Sequence, residues 1–215
     1  MLRALFGEKS TLIDAAFRDL SAMLQQGAKM FDLALASLLD NAELTADLNE
    51  LDDVVDEGER MIRRTVLEHL SVSPNKQLVA SLILVSIVQD AERIGDFARG
   101  LAEVIDLAKS PRGGPFADEL RAIAGRLRPQ FEACEKAFRD DDSALAREVS
   151  SEHIRIKSDL DAFTARVADS DLTADMAVVY GGAARILRRI SAHISNICSS
   201  VSQPYDRLRH GDEEA

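Results

Sequence analysis

The residues of this chain best suited to chemistry are acidic and recur four apart. In the run Gln89-Asp90-Ala91-Glu92-Arg93-Ile94-Gly95-Asp96, helical spacing puts the Glu92 and Asp96 carboxylates on one face, about one turn from each other. Earlier in the chain Asp52 and Asp56 repeat that spacing within Leu51-Asp52-Asp53-Val54-Val55-Asp56-Glu57-Gly58-Glu59, and Glu59 continues the row. Like charges at this spacing repel by a few tenths of a kcal/mol per pair, and by more when partly buried. Solvent, arginines or a bound cation can relieve the repulsion, and Arg60, Arg63, Arg93 and Arg99 are at hand for the second. On a single helix such spacing usually marks a solvated face. Its recurrence on two successive helices at the same edge favours a cation site made of Asp52, Asp56, Glu59, Glu92 and Asp96. Donors that are all oxygen suit hard cations such as magnesium or calcium, or iron or manganese; zinc and nickel are less expected where no histidine joins them.

Composition limits the other possibilities. The 215 residues are 46% hydrophobic and 29% charged, with 5 Pro and 11 Gly, a balance that favours helices and suffices for a sizeable core. A formal net charge of -11 opposes nonspecific binding to nucleic acid or to an anionic membrane surface. The start, Met1-Leu2-Arg3-Ala4-Leu5-Phe6-Gly7-Glu8, reaches a charge too soon for a secretory signal, and the most apolar run, Leu78 to Val88, is too short to span a bilayer. Cys134 and Cys198 match no ligand spacing and fall in apolar rows, as buried free thiols do, so a cytosolic protein is expected. There is no nucleophile–base arrangement and no phosphate-cradling glycine loop.

The elements that must position the acids are six amphipathic helices. The first starts at Ser10 or Thr11 and buries Phe17, Leu20, Leu24, Phe31, Leu35 and Leu38; Asp40-Asn41 ends it. The second carries Leu44, Leu48, Leu51, Val55, Ile62 and Val66 and ends near Leu70. Ser73-Pro74 reads as the start of a third helix that runs to Lys109 through Leu84, Val88, Ala91, Ile94, Leu101 and Ile105. Ser110-Pro111-Arg112-Gly113-Gly114-Pro115 breaks the pattern. A fourth helix follows from Phe116 to Arg139. A fifth is capped by Asp141-Asp142-Ser143, and a sixth is opened by Asp171 and closed at Pro204. The tail from Asp206 to Ala215 is polar.

The two halves repeat. A shift of about one hundred residues places Leu20 on Leu120, Phe31 on Phe131 and Leu38 on Phe138; slightly different shifts place Leu48 on Val149, Val55 on Ile156 and Ile94 on Ile190. The expected fold is therefore all-α: six antiparallel helices as two tandem three-helix bundles, residues 1–110 and 115–205, followed by the tail 206–215. In the first bundle Asp52, Asp56 and Glu59 each follow a residue of the apolar stripe by one position, as do Glu92 and Asp96. Antiparallel neighbours then set the two acidic rows facing across a groove.

The run Ala91-Glu92-Arg93-Ile94-Gly95-Asp96, followed by Leu101-Ala102-Glu103, resembles the signature of the PhoU family of phosphate-uptake regulators, and Leu51 to Glu57 resembles that family's partner helix. The resemblance covers nearly the whole chain as an architecture and is most specific at Glu92 to Asp96. It implies tandem three-helix bundles that bind multinuclear iron or zinc clusters on their surface. It also implies a homodimer as a plausible state, and as partners the cytoplasmic machinery of a phosphate transporter, or a sensor histidine kinase. A sodium- or proton-coupled phosphate permease fits the sequence equally well.

The chain departs from the family in places that matter. Gly100 stands where the family usually has asparagine. In the second half His153 and Lys157 fall at the places of Asp52 and Asp56, and Arg188 and Ala192 at those of Glu92 and Asp96; only Asn196 falls at the place of Gly100. Lys157 and Arg188 would repel a cation there, so one cluster is expected, in the first half only. The basic cluster Arg185, Arg188 and Arg189 either takes an anion or pairs with Glu148, Glu152 or Asp159, the plainer reading. His153 reads as an unliganded surface histidine, and His69, His193 and His210 offer no better geometry. A regulator without enzymatic activity is the leading functional reading. A di-metal enzyme is disfavoured because the usual histidine three residues after a glutamate is missing: Asp53, Ile62 and Gly95 follow Glu50, Glu59 and Glu92. A helical adaptor with solvated acids is the third.

Overall fold

The computed structural model describes residues 11–208. The described residues fold into six long helices: α1 (Thr11–Asp40), α2 (Leu48–Val72), α3 (Leu78–Ile105), α4 (Pro115–Asp140), α5 (Ser143–Ala168) and α6 (Ala174–Ser202), then a 3₁₀ turn at Tyr205–Arg207. No strand occurs among the described residues. The Ser10 cap and the last part of the tail, residues 209–215, lie outside them.

Local chemistry sets most of the ends. Asn41 stops α1 by taking a left-handed conformation (φ 55°), which asparagine tolerates better than most residues. The Asp47 carboxylate caps α2 by accepting from the Asn49 amide at 2.8 Å, and Asp142 caps α5 by accepting from the Ala144 and Leu145 amides. Gly114 (φ 79°) turns the chain into Pro115, the first residue of α4. Three sequence expectations shift. Leu44 precedes α2 and is exposed, so the buried row begins at Leu48. Ser73 does not open α3 but closes α2, its amide donating to the His69 carbonyl at 2.8 Å. Pro74 then sits in the turn, which His69 Nε2 ties to the Lys76 carbonyl at 2.9 Å, and α3 starts only at Leu78 and ends at Ile105. Likewise Thr173, not Asp171, is the N-cap of α6.

Each half is a three-helix bundle, but the halves do not have separate cores. α1 packs on α4 and α3 on α6, while α2 packs mainly on α1 and α3, and α5 mainly on α4 and α6. Both pairs across the seam run antiparallel: Phe31 meets Phe131 and Phe17 meets Phe138, while Val104 lies by Gly182 and Asp90 by His193. Repeat-equivalent residues therefore face each other, as at a two-fold axis: Phe31 against Phe131 (ring centroids 5.3 Å apart) and Phe97 against His193 (5.5 Å). The apolar side chains of both halves form one continuous core. Cys134 and Cys198, far apart in sequence, become neighbours inside it. Both are free and buried, and a hydrogen bond with Cys134 together with burial pushes the Cys198 thiol up.

The break between the halves is held in place. The Arg112 guanidinium donates to the Ser37 carbonyl at 2.6 Å and the Leu38 carbonyl at 3.2 Å, satisfying the C-terminal carbonyls of α1. Its backbone exchanges two 2.9 Å hydrogen bonds with the Asn41 side chain, and the Tyr180 hydroxyl bonds both backbone groups of Gly113. Arg112→Ala is expected to cost about 1–3 kcal/mol in urea unfolding, because charge-assisted hydrogen bonds to otherwise unpaired carbonyls are lost. Arg112→Lys, which keeps the charge but not the fork, should recover only part of that.

Candidate cation site

The expected acidic edge forms where α2 and α3 pack. The side chains of Asp52, Glu92, Glu59, Asp96 and Asp56 are progressively more open, at 13%, 16%, 19%, 27% and 38%. Gly95 makes the close approach possible: a Cβ there would stand 2.9 Å from Asp52 Oδ1 and 3.4 Å from Val55 Cγ1. At Gly100 the nearest atom would be Ile186 Cδ1 at 3.8 Å, an ordinary contact, so nothing near it requires a glycine.

Arginines occupy this edge. Arg99 Nε donates to Asp52 Oδ2 at 2.7 Å from the neighbouring helix, and its two other nitrogens reach Asp96 Oδ1 at 3.2 Å and Glu103 Oε1 at 3.0 Å. Arg93 holds the other Asp96 oxygen at 2.8 Å and stands 3.6 Å from Glu92; Arg63 pairs with Glu59 at 2.8 Å, and Arg60 stands 3.8 Å from Asp56. Among the described residues no three of these carboxylates close around one point as metal ligands do. Yet the compensation is incomplete. Asp52 Oδ1 is buried with no hydrogen-bond partner, a costly state for a carboxylate oxygen. Burial raises the Asp52 carboxyl above its ordinary value against the pull of Arg99. Burial also lifts Glu92 from 4.5 to about 7, with Asp96, Glu59 and Asp56 adding repulsion and Arg93 opposing it. The orphaned Asp52 oxygen and the raised Glu92 carboxyl mark the part of this edge that the arginines leave uncompensated.

The corresponding edge of the second half has reversed its charge. His153 Nδ1 lies 2.9 Å from Ser191 Oγ, and burial, then Lys157 and Arg188, lower the imidazole to about 4. Arg188 pairs with Asp161 at 3.2 Å, and Arg189 lies over the Phe97 ring. Glu152 and Asp159, expected as partners of that basic cluster, are taken instead by Arg126 of α4. Asn196 turns to the seam, where it and His193 both bond Asp90 Oδ1, at 2.9 and 2.8 Å. Asp90 is 2% exposed and belongs to the acidic run read from the sequence, yet serves the contact between the halves rather than the edge. Only its position among the apolar residues of α3 could have signalled that.

The fold and edge define a class: tandem three-helix repeats with an acidic ridge on the first. Residues 20–105, which include all five carboxylates, match the PhoU domain model. The chain is 27% identical, over 86% of its length and 86% of the relative's, to the phosphate-specific transport system accessory protein PhoU homolog 1 of Thermotoga maritima. Its fold is that of the crystal structures of the phosphate transport system regulatory protein PhoU from Streptococcus pneumoniae (TM-score 0.80, 17% identity, 93% of this chain and 96% of that one) and of PhoU from Pseudomonas aeruginosa (TM-score 0.79, 23% identity, 93% and 98%). Residues 20–105 of the chain thus resemble the PhoU family, and the fold of the described residues is that of the solved PhoU proteins.

Between about pH 4.5 and 7 the folded protein keeps a proton on Glu92 that the unfolded chain has lost. The stability this group contributes is complete below that window and is lost as pH rises through it. Urea unfolding at about pH 5 and about pH 8 should show a larger drop for the unaltered chain than for Glu92→Gln, which carries no titrating carboxyl. Gly100→Ala should raise stability by up to about 1 kcal/mol, from helix propensity alone. Gly95→Ala should not, because its methyl would displace Asp52.

Proposed function

We propose that this protein is a non-enzymatic regulator of phosphate uptake and phosphate-responsive signalling, acting in the cytoplasm on a phosphate transporter or its sensor kinase. The observation that carries the reading is the ridge where Asp52, Asp56, Glu59, Glu92 and Asp96 meet, inside the segment matched to the PhoU domain. The printed name of the T. maritima relative, an accessory protein of a phosphate-specific transport system, supplies the process. No helix among the described residues is long and apolar enough to cross a membrane, so contact with a transporter would be made through the partner's exposed parts.

The five carboxylates would hold a metal ion or cluster, iron or zinc on the family resemblance, which supplies the positive charge that offsets their repulsion. The residues' own part is a competition. Arg99 sits on Asp52 and Asp96, so metal binding at those oxygens and the arginine pairs exclude each other. Asp52 Oδ1 is the oxygen already free of a partner. When Arg99 is released, a guanidinium joins the outer surface of α3, and the charge that the ridge presents to a partner changes. The second half, with Lys157 and Arg188 at the matching place, takes no part.

Calorimetric titration of metal-stripped protein with iron or zinc is expected to find binding in the first half alone. Asp96→Ala and Asp52→Ala should weaken it, His153→Ala should leave it unchanged, and Arg99→Gln should tighten it by about fivefold or more as a competitor is removed. Two equivalent sites, one per half, would refute the assignment. Deleting the gene should alter phosphate uptake or polyphosphate content; no change in either removes the regulatory reading whatever the metal result.

A further inference from the structure

On the opposite flank of α2 from the ridge, a groove of about 600 Å³ runs between α1 and α2. Its floor is Met23, Val55 and Gly58, and its α2 wall carries Val54 and Met61, 59% and 41% exposed. Gly58 sets the depth: a Cβ there would stand 2.7 Å from Met23 Cγ, so its absence lets the methionine lie against the α2 backbone. The rim is acidic, with Asp19, Asp53 and Glu57.

The internal repeat provides a control for what this groove lacks. By the same alignment that pairs Leu20 with Leu120 and Val55 with Ile156, the second half has Arg126 at the place of Gln26 and Arg166 at the place of Thr65. There Arg126 bridges α4 to α5 through Glu152 (2.7 Å) and Asp159 (2.5 Å), and Arg166 pairs with Glu119, the counterpart of Asp19. In the first half both bridging arginines are gone. Gln26 spans the helices with only a long 3.5 Å hydrogen bond to the Leu51 carbonyl. Asp19 and Asp53 make no ion pair among the described residues, and Glu57 is held only by Arg60 of its own helix, at 3.3 Å. Asp19 keeps the acid of Glu119, Asp53 and Glu57 stand where the second half has Ile154 and Ser158, and the partners of Arg126 fall at Leu51 and Gly58. The first half has thus lost the bridging cations and gained rim acids, with apolar surface left open between them.

We propose that the α1/α2 groove is a docking site for one amphipathic helix of a partner protein, with apolar side chains on its inner face and lysines or arginines beside them. Three features select that occupant. The acidic rim, where Asp19 and Asp53 make no ion pair among the described residues, calls for cations and repels an anionic lipid surface. Met23 on the floor and Met61 on the wall make an adaptable apolar lining. From Asp19 to Gln26 the groove is two helical turns long, about 10 Å, room for anchors at i, i+3 or i+4, and i+7. The site is independent of the metal reading, since none of its lining residues belongs to the ridge.

The test uses the full chain and a fluorescein-labelled peptide of leucine and lysine, about four turns long and amphipathic as a helix. Methyl NMR of the methionines should shift Met23 and Met61 and leave Met30 and Met176 in place. Met61→Glu and, separately, Val54→Glu should each weaken binding by about tenfold, while the control Val178→Glu in the second half has no effect. Asp19→Lys with Asp53→Lys should weaken it and flatten its salt dependence. Equal shifts at all four methionines, or full affinity in Met61→Glu and Val54→Glu, overturns the proposal. It fails also if only a chain lacking residues 1–9 binds the peptide, which makes the occupant the protein's own N-terminal segment. A dimer that Met61→Glu converts to monomer in sedimentation equilibrium makes the occupant a second copy, and the proposal fails again.

Discussion

The seam between the two repeats is the constraint on which the rest of the molecule depends. α1, α3, α4 and α6 each carry more apolar surface than a lone three-helix bundle can cover, and they bury it by meeting antiparallel across an internal two-fold. Burying one side chain of the size of Phe31 or Leu101 is worth about 1.5–3 kcal/mol, so a seam of such residues outweighs any surface ion pair in the structure. A buried polar cluster, Asp90 with His193 and Asn196, interrupts it and joins the two halves by hydrogen bonds.

That arrangement leaves α2 and α5 outside, each packing mainly on two helices of its own half. Each outer helix therefore has two flanks that border solvent, and the fold's chemical variety is concentrated there. One flank of α2 meets α3 in a ridge of carboxylates, part-neutralised by arginines. The other meets α1 in an open apolar groove. In α5 the first flank has become cationic around His153, and the second is closed by Arg126 and Arg166. Because the seam carries the stability, charge on the flanks can reverse without loss of the fold.

Much of this was legible in the chain. The spacing of Leu84, Val88, Ala91, Ile94, Leu101 and Ile105 marked the buried face of α3, and all six are buried. The repeat foretold which residues would be equivalent, and the four-residue spacing of the acids placed them on one edge. Less legible were the ends that two helices share. Ser73-Pro74 carries a sound start signal, but an antiparallel turn needed those residues, and Ser73 was used to end α2. Partner choice among charges was hidden too: Arg188 was within reach of several acids in sequence terms, and it pairs with Asp161 while Arg126 engages Glu152 and Asp159.

By itself the sequence determined the six helices, their apolar faces and the acidic edge, because periodicity and capping act over a few neighbouring residues. Only the tertiary structure decided that the two bundles share one core, that Asp90 faces the seam while Glu92 faces the ridge, and that Arg99 rather than solvent answers Asp52. Those outcomes depend on which helices meet and at what register, and pair energies across such contacts fall off within a few ångströms. A one-dimensional pattern specifies which face a residue lies on, but not which side chain will stand opposite.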